Sequence, residues 1–298
     1  EHDVVWASTP TAETALIAFL AERLGKPVVA THHGDLILPK GLINAAITWL
    51  TYRFYTYLAK RATTLIAYSD DYADHSYYLM PFRDKVSVIY PPIFIPEPQP
   101  ARVAHLRARW SPAGGPVIGY SGRFVEEKRP DLLIRSLDVI NQQHPQARIV
   151  FAGEYDIKYE STWERHQDLV QQYRDQLIFL GLLTNVQDMA NFYAACDVLV
   201  LPSGTECFGL VQVEAMLCGT PVVMTDIPGG RVPVKLTGMG RLVPPGDHEA
   251  IGRAVLEILR NPESFRRPRA AIERHFSFKE TVDRYEQHFC AAVAGARA

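Results

Sequence analysis

Two glutamates mark the stretch of this chain best suited to chemistry. In TECFGLVQVEAM, residues 205–216, Glu206 precedes Phe208-Gly209, and Glu214 stands among Leu210, Val211, Val213, Ala215 and Met216. A carboxylate accepts hydrogen bonds and donates none, so both call for donors. Without one, burying Glu214 on an apolar helix costs several kcal/mol or forces protonation. The stretch follows a strand-like DVLVLPS and a turn at Gly204, and leads into a helix near Gly209. A helix start presents free N–H groups and the positive end of the dipole, which is an anion site. Glu214 lies six residues beyond Phe208, roughly 9 Å along the helix at 1.5 Å per residue, and its side chain tilts back toward the start. Phosphate at the helix start and ribose one or two turns along is the layout of a nucleotide, with Glu206 turned to sugar hydroxyls. The plainer alternative pairs Glu214 with an arginine or turns it to solvent.

A second constellation is GYSGRFVEEKRPDLL. Gly122 ends a strand pattern, Arg123 follows at once, and Lys128 comes just before Pro130, which fits the first turn of a helix. An arginine fork and a lysine point charge at a strand end make a diphosphate clamp. The alternative is two solvated cations beside Glu126 and Glu127. A third is His32-His33-Gly34-Asp35. Adjacent strand residues face opposite ways, so the two histidines are poorly placed to share a metal, and His33 reads better as a sugar contact or a structural histidine. No G-x-S-x-G elbow is present, and Gly238-Met239-Gly240 lacks the third glycine of a dinucleotide loop.

These residues sit after strand-like runs that alternate with helical patterns. The runs fall at 3–6, 26–31, 64–69 and 85–90, with helices near 11–24, 41–60 and 71–79. The proline-rich PPIFIPEPQP then reads as a linker. A second alternation has strands at 116–121, 147–153, 176–181, 197–203 and 220–225, with helices near 130–143, 161–174, 186–195 and 209–218. Helices at 248–260 and 278–295 close the chain. Continuous apolar strands between helices predict α/β domains with parallel sheets, which bind ligands beyond the carboxyl ends of their strands.

Bulk properties narrow the class. The 298 residues carry a formal net charge of −2, which argues against a nucleic-acid partner. Length predicts about two domains. The cysteines, Cys196, Cys207, Cys218 and Cys290, form no C-x-x-C pair and fit reduced thiols in a cytoplasmic protein. The opening EHDVVWAST has no signal-peptide pattern. The apolar helix at 41–60 includes Asn44, Arg53 and several tyrosines, so it is not read as transmembrane. It is read as core on one side and interface on the other, with docking on an anionic membrane as the alternative.

At this point the chain resembles the family 4 retaining glycosyltransferases. DVLVLPSGTECFGLVQVEAMLCGTPVV looks like their E-x7-E region, GRFVEEKRPDLL like their diphosphate-binding segment, and PVVATHHGD like their histidine loop. LIFLGLLTNVQDMANFYAACDVLVLPS matches the approach to the first of these. The resemblance implies a GT-B fold: two Rossmann-like parallel-sheet domains facing a cleft. It implies a hexosyltransferase that moves a sugar, with retention, from a UDP- or GDP-sugar to a sugar, lipid-linked or small-molecule acceptor, in glycan or glycolipid biosynthesis. No cofactor and no obligatory metal are implied. Residue by residue, it puts Arg123 and Lys128, after Gly122, on the diphosphate and Glu206 on the donor sugar. It puts the amides of Phe208, Gly209 and Leu210 near sugar and phosphates, Glu214 on the ribose, Leu182 at the base and His33 over the donor sugar. The alternatives are a nucleotide-sugar-binding fragment without turnover and a sugar-nucleotide epimerase.

The resemblance has gaps. The glycine-rich loop after the first strand is missing, and the first strand run looks like a later strand of the first domain, so two or three βα units are expected to be lacking in front. Tyr90-Pro91-Pro92-Ile93 replaces the commoner Pro-Asn-Gly turn. Arg231-Val232-Pro233 stands where a glutamate is frequent, and no role is carried there. The expected domains are 1–97 on the acceptor side, truncated at its start, 98–277 for the nucleotide sugar, and a helix over 278–298 packing back on the first domain. The expected location is cytoplasmic, with peripheral contact on the inner membrane face as an addition.

Overall fold

The structure, a computed structural model, describes residues 2–11, 13–38, 41–157 and 161–297. The strands are β1 (Val5–Thr9), β2 (Val28–His32), β3 (Thr64–Ala67), β4 (Val86–Val88), β5 (Val117–Ser121), β6 (Arg148–Ala152), β7 (Leu177–Phe179), β8 (Val198–Leu201), β9 (Val222–Thr225) and β10 (Gly240–Val243). The helices used below are α1 (Thr14–Arg23), α2 (Leu42–Arg61), α3 (Pro100–Trp110), α4 (Pro130–Arg135), α5 (Val186–Ala195), α6 (Leu210–Leu217), α7 (His248–Arg260) and α8 (Phe278–Arg297).

The chain divides into two compact units, Glu1–Pro92 with Ser277–Ala298, and Ile93–Phe276. The first holds a parallel sheet in the order β1-β2-β3-β4. Every residue of β2 is buried, as expected of a parallel strand covered on both faces. Part of that cover is α8: Tyr285 and Phe289 pack on Trp6, and Ala292 joins Val29, Ile66 and Ile89 in one buried cluster. The Tyr285 hydroxyl is 3.2 Å from Thr31 Oγ1, and Thr281 Oγ1 donates to the Tyr90 carbonyl.

The second unit holds six parallel strands in the order β10-β9-β8-β5-β6-β7. From β5 the chain winds outward through β6 to β7. It then returns to the other side and winds outward from β8 to β10, so the direction reverses between β5 and β8, which pair at Ile118–Val198 and Gly119–Leu199. Ile118, Leu133, Ile149, Val198, Val223 and Val255 lie in its core.

Several expectations shift. The boundary lies at 92/93 rather than 97/98. The segment after Pro92 belongs to the second unit because Ile93 and Ile95 are buried, Arg269 donates to the Ile95 carbonyl, and the Gln99 N–H donates to Asn191 Oδ1. The linker prolines hid α3, which Pro100 opens in the first turn, where the backbone N–H has no partner within the helix. Strand β10 was not anticipated, because GRLV carries an arginine and is bounded by Gly238 and Pro244-Pro245. The 130–143 pattern breaks at Ser136, whose hydroxyl bonds back to the Leu133 carbonyl. Residues 1 and 298, the expected outer limits, lie outside the described residues.

Candidate functional site

The reversal between β5 and β8 is where an open parallel sheet forms a crevice, because the two connecting loops leave in opposite directions. The second unit has a cavity of about 440 Å³ there, lined by Gly122, Arg123, Glu154, Leu182, Tyr193 and Glu214 among others. Two glycines let the strand ends run close together. A Cβ on Gly153 would fall 2.1 Å from the Gly122 carbonyl oxygen, and Gly153 has φ 143°. Only glycine tolerates both.

Glu214 enters the cavity from the second turn of α6, the helix opened by Gly209. Its Oε2 accepts from the Tyr193 hydroxyl at 2.7 Å, and that hydroxyl is also 3.2 Å from Ser121 Oγ. Burial pushes the Glu214 carboxyl above its ordinary range, and the Tyr193 hydrogen bond works against that shift. The partner of Glu214 within the chain is therefore a tyrosine, and neither an arginine nor bulk solvent as the plainer alternative had it. Tyr193 carried no role in the sequence reading. Its signal was a hydroxyl in the apolar Phe192–Ala195 run that ends α5, shortly ahead of β8.

Helix α6 starts at Gly209, which has φ 75° and no side-chain cap. A Cβ there would meet Gln212 Nε2 at 2.5 Å. Gln212 is fully buried and donates to the Phe208 and Gly230 carbonyls. Phe208 is fully buried edge-on to Phe276, so its ring anchors the turn and only its backbone can meet a ligand. A Cβ on Gly229 would lie 2.4 Å from the Cys207 carbonyl oxygen, so the Gly229-Gly230 turn braces this loop from behind. The sequence reading attached no role to that turn.

Lys128 and Glu206 are far apart in sequence, yet Lys128 Nζ donates to Glu206 Oε1 at 2.6 Å, with both side chains largely shielded. The Gly204 N–H donates to the Glu127 carbonyl and ties the two loops together. Arg129 follows in the left-handed region at φ 49°, unusual for a residue with a Cβ. It ends the short turn carrying Lys128, and its guanidinium holds Asp131 through two hydrogen bonds of 3.0 Å at the start of α4. Arg123 is half exposed with its guanidinium 3.5 Å from Glu127. The solvated reading of these cations thus describes Arg123 in part and fails for Lys128.

Of the candidate residues, Gly122, Arg123, Leu182 and Glu214 line one cavity. Lys128 and Glu206 form a pair, and Phe208, Gly209 and Leu210 form the helix start. His33 lies in the other unit, just after β2. Its Nδ1 is 2.7 Å from the Tyr68 hydroxyl, and burial, with His32 beside it, lowers its pKa. His32 is a structural residue. It is buried with Nδ1 2.8 Å from Thr9 Oγ1 and Nε2 3.1 Å from Asp35 Oδ1. The two rings therefore serve different partners. Asp35 also accepts from Ser76 Oγ and the Tyr77 N–H.

The fold is that of GT-B proteins. The structure matches HepE of Anabaena, solved in complex with UDP, at TM-score 0.81, 20% identity, 96% of this chain and 79% of that one. It matches sucrose-phosphate synthase of Thermosynechococcus elongatus at TM-score 0.78, 21% identity, 99% and 74%. The model of the glycosyl transferases group 1 family matches residues 105–275, more than half of the chain, and that of glycosyltransferase family 4 matches residues 1–95. The chain belongs to the group 1 glycosyl transferases. Among its relatives is the D-inositol 3-phosphate glycosyltransferase of Saccharomonospora viridis, 30% identical over 227 residues, which are 72% of this chain and 52% of that protein. The chain spans about half the length of the curated relatives it matches.

Proposed function

We propose that this chain belongs to a retaining glycosyltransferase that moves a hexose from a nucleoside diphosphate sugar to an acceptor hydroxyl in glycan or glycolipid synthesis. The observation that carries the reading is the cavity at the β5/β8 reversal, with a cation at one wall and a tyrosine-held carboxylate at another. The ribose diol donates to Glu214. The base lies toward Leu182, which is exposed. The diphosphate meets Arg123, Lys128 and the uncapped start of α6. UDP in complexes of a similar structure supports a UDP donor over GDP.

As the sugar–phosphate bond breaks, negative charge grows on the leaving diphosphate. Fixed donors aimed at that charge stabilise the transition state more than the ground state. Glu206 gives one oxygen to Lys128, which holds the ammonium in place, and its carboxylate accepts from donor-sugar hydroxyls. No carboxylate here reads as a covalent nucleophile. The acceptor instead attacks on the face the diphosphate leaves, and the departing phosphate oxygen takes the acceptor proton. His33, whose pKa burial lowers, is a neutral hydrogen-bonding group. No metal is required, because cations and helix N–H groups take the role a divalent ion would fill.

Thermal melts of the chain with UDP, GDP and their hexose conjugates test the donor site. A ligand at a hundred times its Kd adds about 2.7 kcal/mol to the folded state. UDP should raise the melting temperature and Glu214→Gln should abolish most of the rise. A chain indifferent to both nucleotides at millimolar concentration would sink the reading. For turnover in the complete protein, Arg123→Ala or Lys128→Ala should cost about 10²–10³ in rate, with the anomeric configuration of the product read by NMR.

A further inference from the structure

Helix α6 carries two polar side chains, Gln212 and Glu214, among leucines, valines, an alanine and a methionine. Glu214 lines the cavity. Two residues are about 200° apart around a helix axis, so Gln212 leaves on the other side, where it is fully buried. Among the described residues its Oε1 is buried without a hydrogen-bond partner, and the other such atom is Ser203 Oγ, at the head of the loop that leads into α6. A buried acceptor left unpaired is destabilising, and an apolar side chain of similar size would avoid it. The use of Gln212 lies at the other end of its amide.

There Nε2 donates to the Phe208 carbonyl at 3.2 Å and to the Gly230 carbonyl at 2.8 Å. The first bond sets a peptide plane. In a trans peptide the C=O of one residue and the N–H of the next point in opposite directions. Holding the Phe208 carbonyl from the buried side therefore turns the Gly209 N–H away from Gln212 and out of the interior. No described residue accepts from that N–H. Gly209 and Gln212 are fitted to each other, since φ is 75° at Gly209 and a Cβ there would stand 2.5 Å from Nε2. The second bond ties the same peptide to the turn after β9. That turn backs Glu206: a Cβ on Gly230 would lie 3.2 Å from the Glu206 side chain. One amide thus fixes the direction of the Gly209 N–H relative to the Lys128–Glu206 pair.

We propose that Gln212 is a positioning residue that aims the Gly209 N–H at the phosphate bearing the donor sugar. The inference rests on the nucleotide-sugar reading above. Gly209 stands three residues from Glu206 and five from Glu214, so it lies toward the sugar end of the donor, and the phosphate it meets is the one farther from the ribose.

Calorimetric titration of the chain with UDP and with UMP, which lacks that phosphate, tests the assignment. In Gln212→Leu, UDP affinity should fall about tenfold, the scale of a weakened hydrogen bond to a charged group. UMP affinity should stay within about twofold, so the preference for UDP over UMP shrinks with it. A merely structural lesion would weaken both nucleotides alike. Gln212→Met fills the same space with a more pliant side chain and should show the same selective loss, which keeps the test open if the leucine variant folds poorly. Equal losses for UDP and UMP, or no loss for either, would overturn the proposal. A parent chain that binds neither nucleotide would overturn the nucleotide reading itself, and this inference with it.

Discussion

The two sheets of this protein are built from similar strands and differ in how they are wound. The first runs β1-β2-β3-β4 in one direction, whereas the second reverses between β5 and β8. In the second, loops splay apart at the reversal and leave a cavity that holds Arg123 and Glu214. In the first, polar groups at the strand ends are spent on one another: His32, Thr9, Asp35 and Ser76 form a hydrogen-bonded set. Equivalent positions after a parallel strand thus become ligand groups or structural groups according to whether the neighbouring loops diverge.

The largest test of this contrast is steric. Phe208→Ala removes a fully buried ring under the helix start and should cost about 3–5 kcal/mol in chemical denaturation. Trp49→Ala, on the exposed face of α2, should stay within about 0.5 kcal/mol. Comparable losses at both positions would mean that the two regions are packed alike.

The second test is electrostatic and runs in opposite directions. Burial pushes the Asp35 carboxyl up, but the hydrogen bond and charge of His32, with Ser76 and the Tyr77 N–H, outweigh it and hold Asp35 below 3.8. Its stabilisation is present above pH 3.8 and is lost as pH falls through the lowered folded value. Asp35→Ala should therefore cost about 1–3 kcal/mol at neutral pH and leave nucleotide affinity within about twofold. Burial holds Glu214 above 4.5. The folded state then keeps its proton longer than the unfolded chain, so this group's contribution is present below pH 4.5 and is lost as pH rises through the raised folded value. Glu214→Gln should hold or raise stability at neutral pH while weakening UDP. In the parent, UDP affinity should fall as pH drops through the raised Glu214 value. Calorimetric titration across pH checks both, and a Glu214→Gln protein that binds UDP normally would end the ribose assignment.

The smallest effect is expected at Tyr193→Phe. Without its hydroxyl, Glu214 keeps its place on α6 but loses its orienting donor, and UDP affinity should fall about tenfold. A 2′-deoxyribose nucleotide should lose less affinity in the variant than in the parent. Unequal losses would separate an orienting role from a purely structural one.

Much of this was legible beforehand. Apolar runs marked β5, β6, β8 and β9 because buried parallel strands need side chains for both faces, and the glycines at 122 and 209 marked a strand end and a helix start. GRLV was not legible as a strand, and Pro100 was read with the linker prolines although it begins α3.

From the sequence alone came the inventory and its order: cations after β5, a carboxylate before the Phe208-Gly209 turn and another along the helix that follows. These are local facts, set by residue type and by the rise of a helix. Tertiary structure decided the pairings. Lys128 meets Glu206 because the Gly204 N–H ties two loops from different strands, Glu214 is held by a tyrosine from the preceding helix, and Asp35 is taken up by His32. Such contacts depend on where separate elements come to rest, and no spacing along the chain encodes a distance across it.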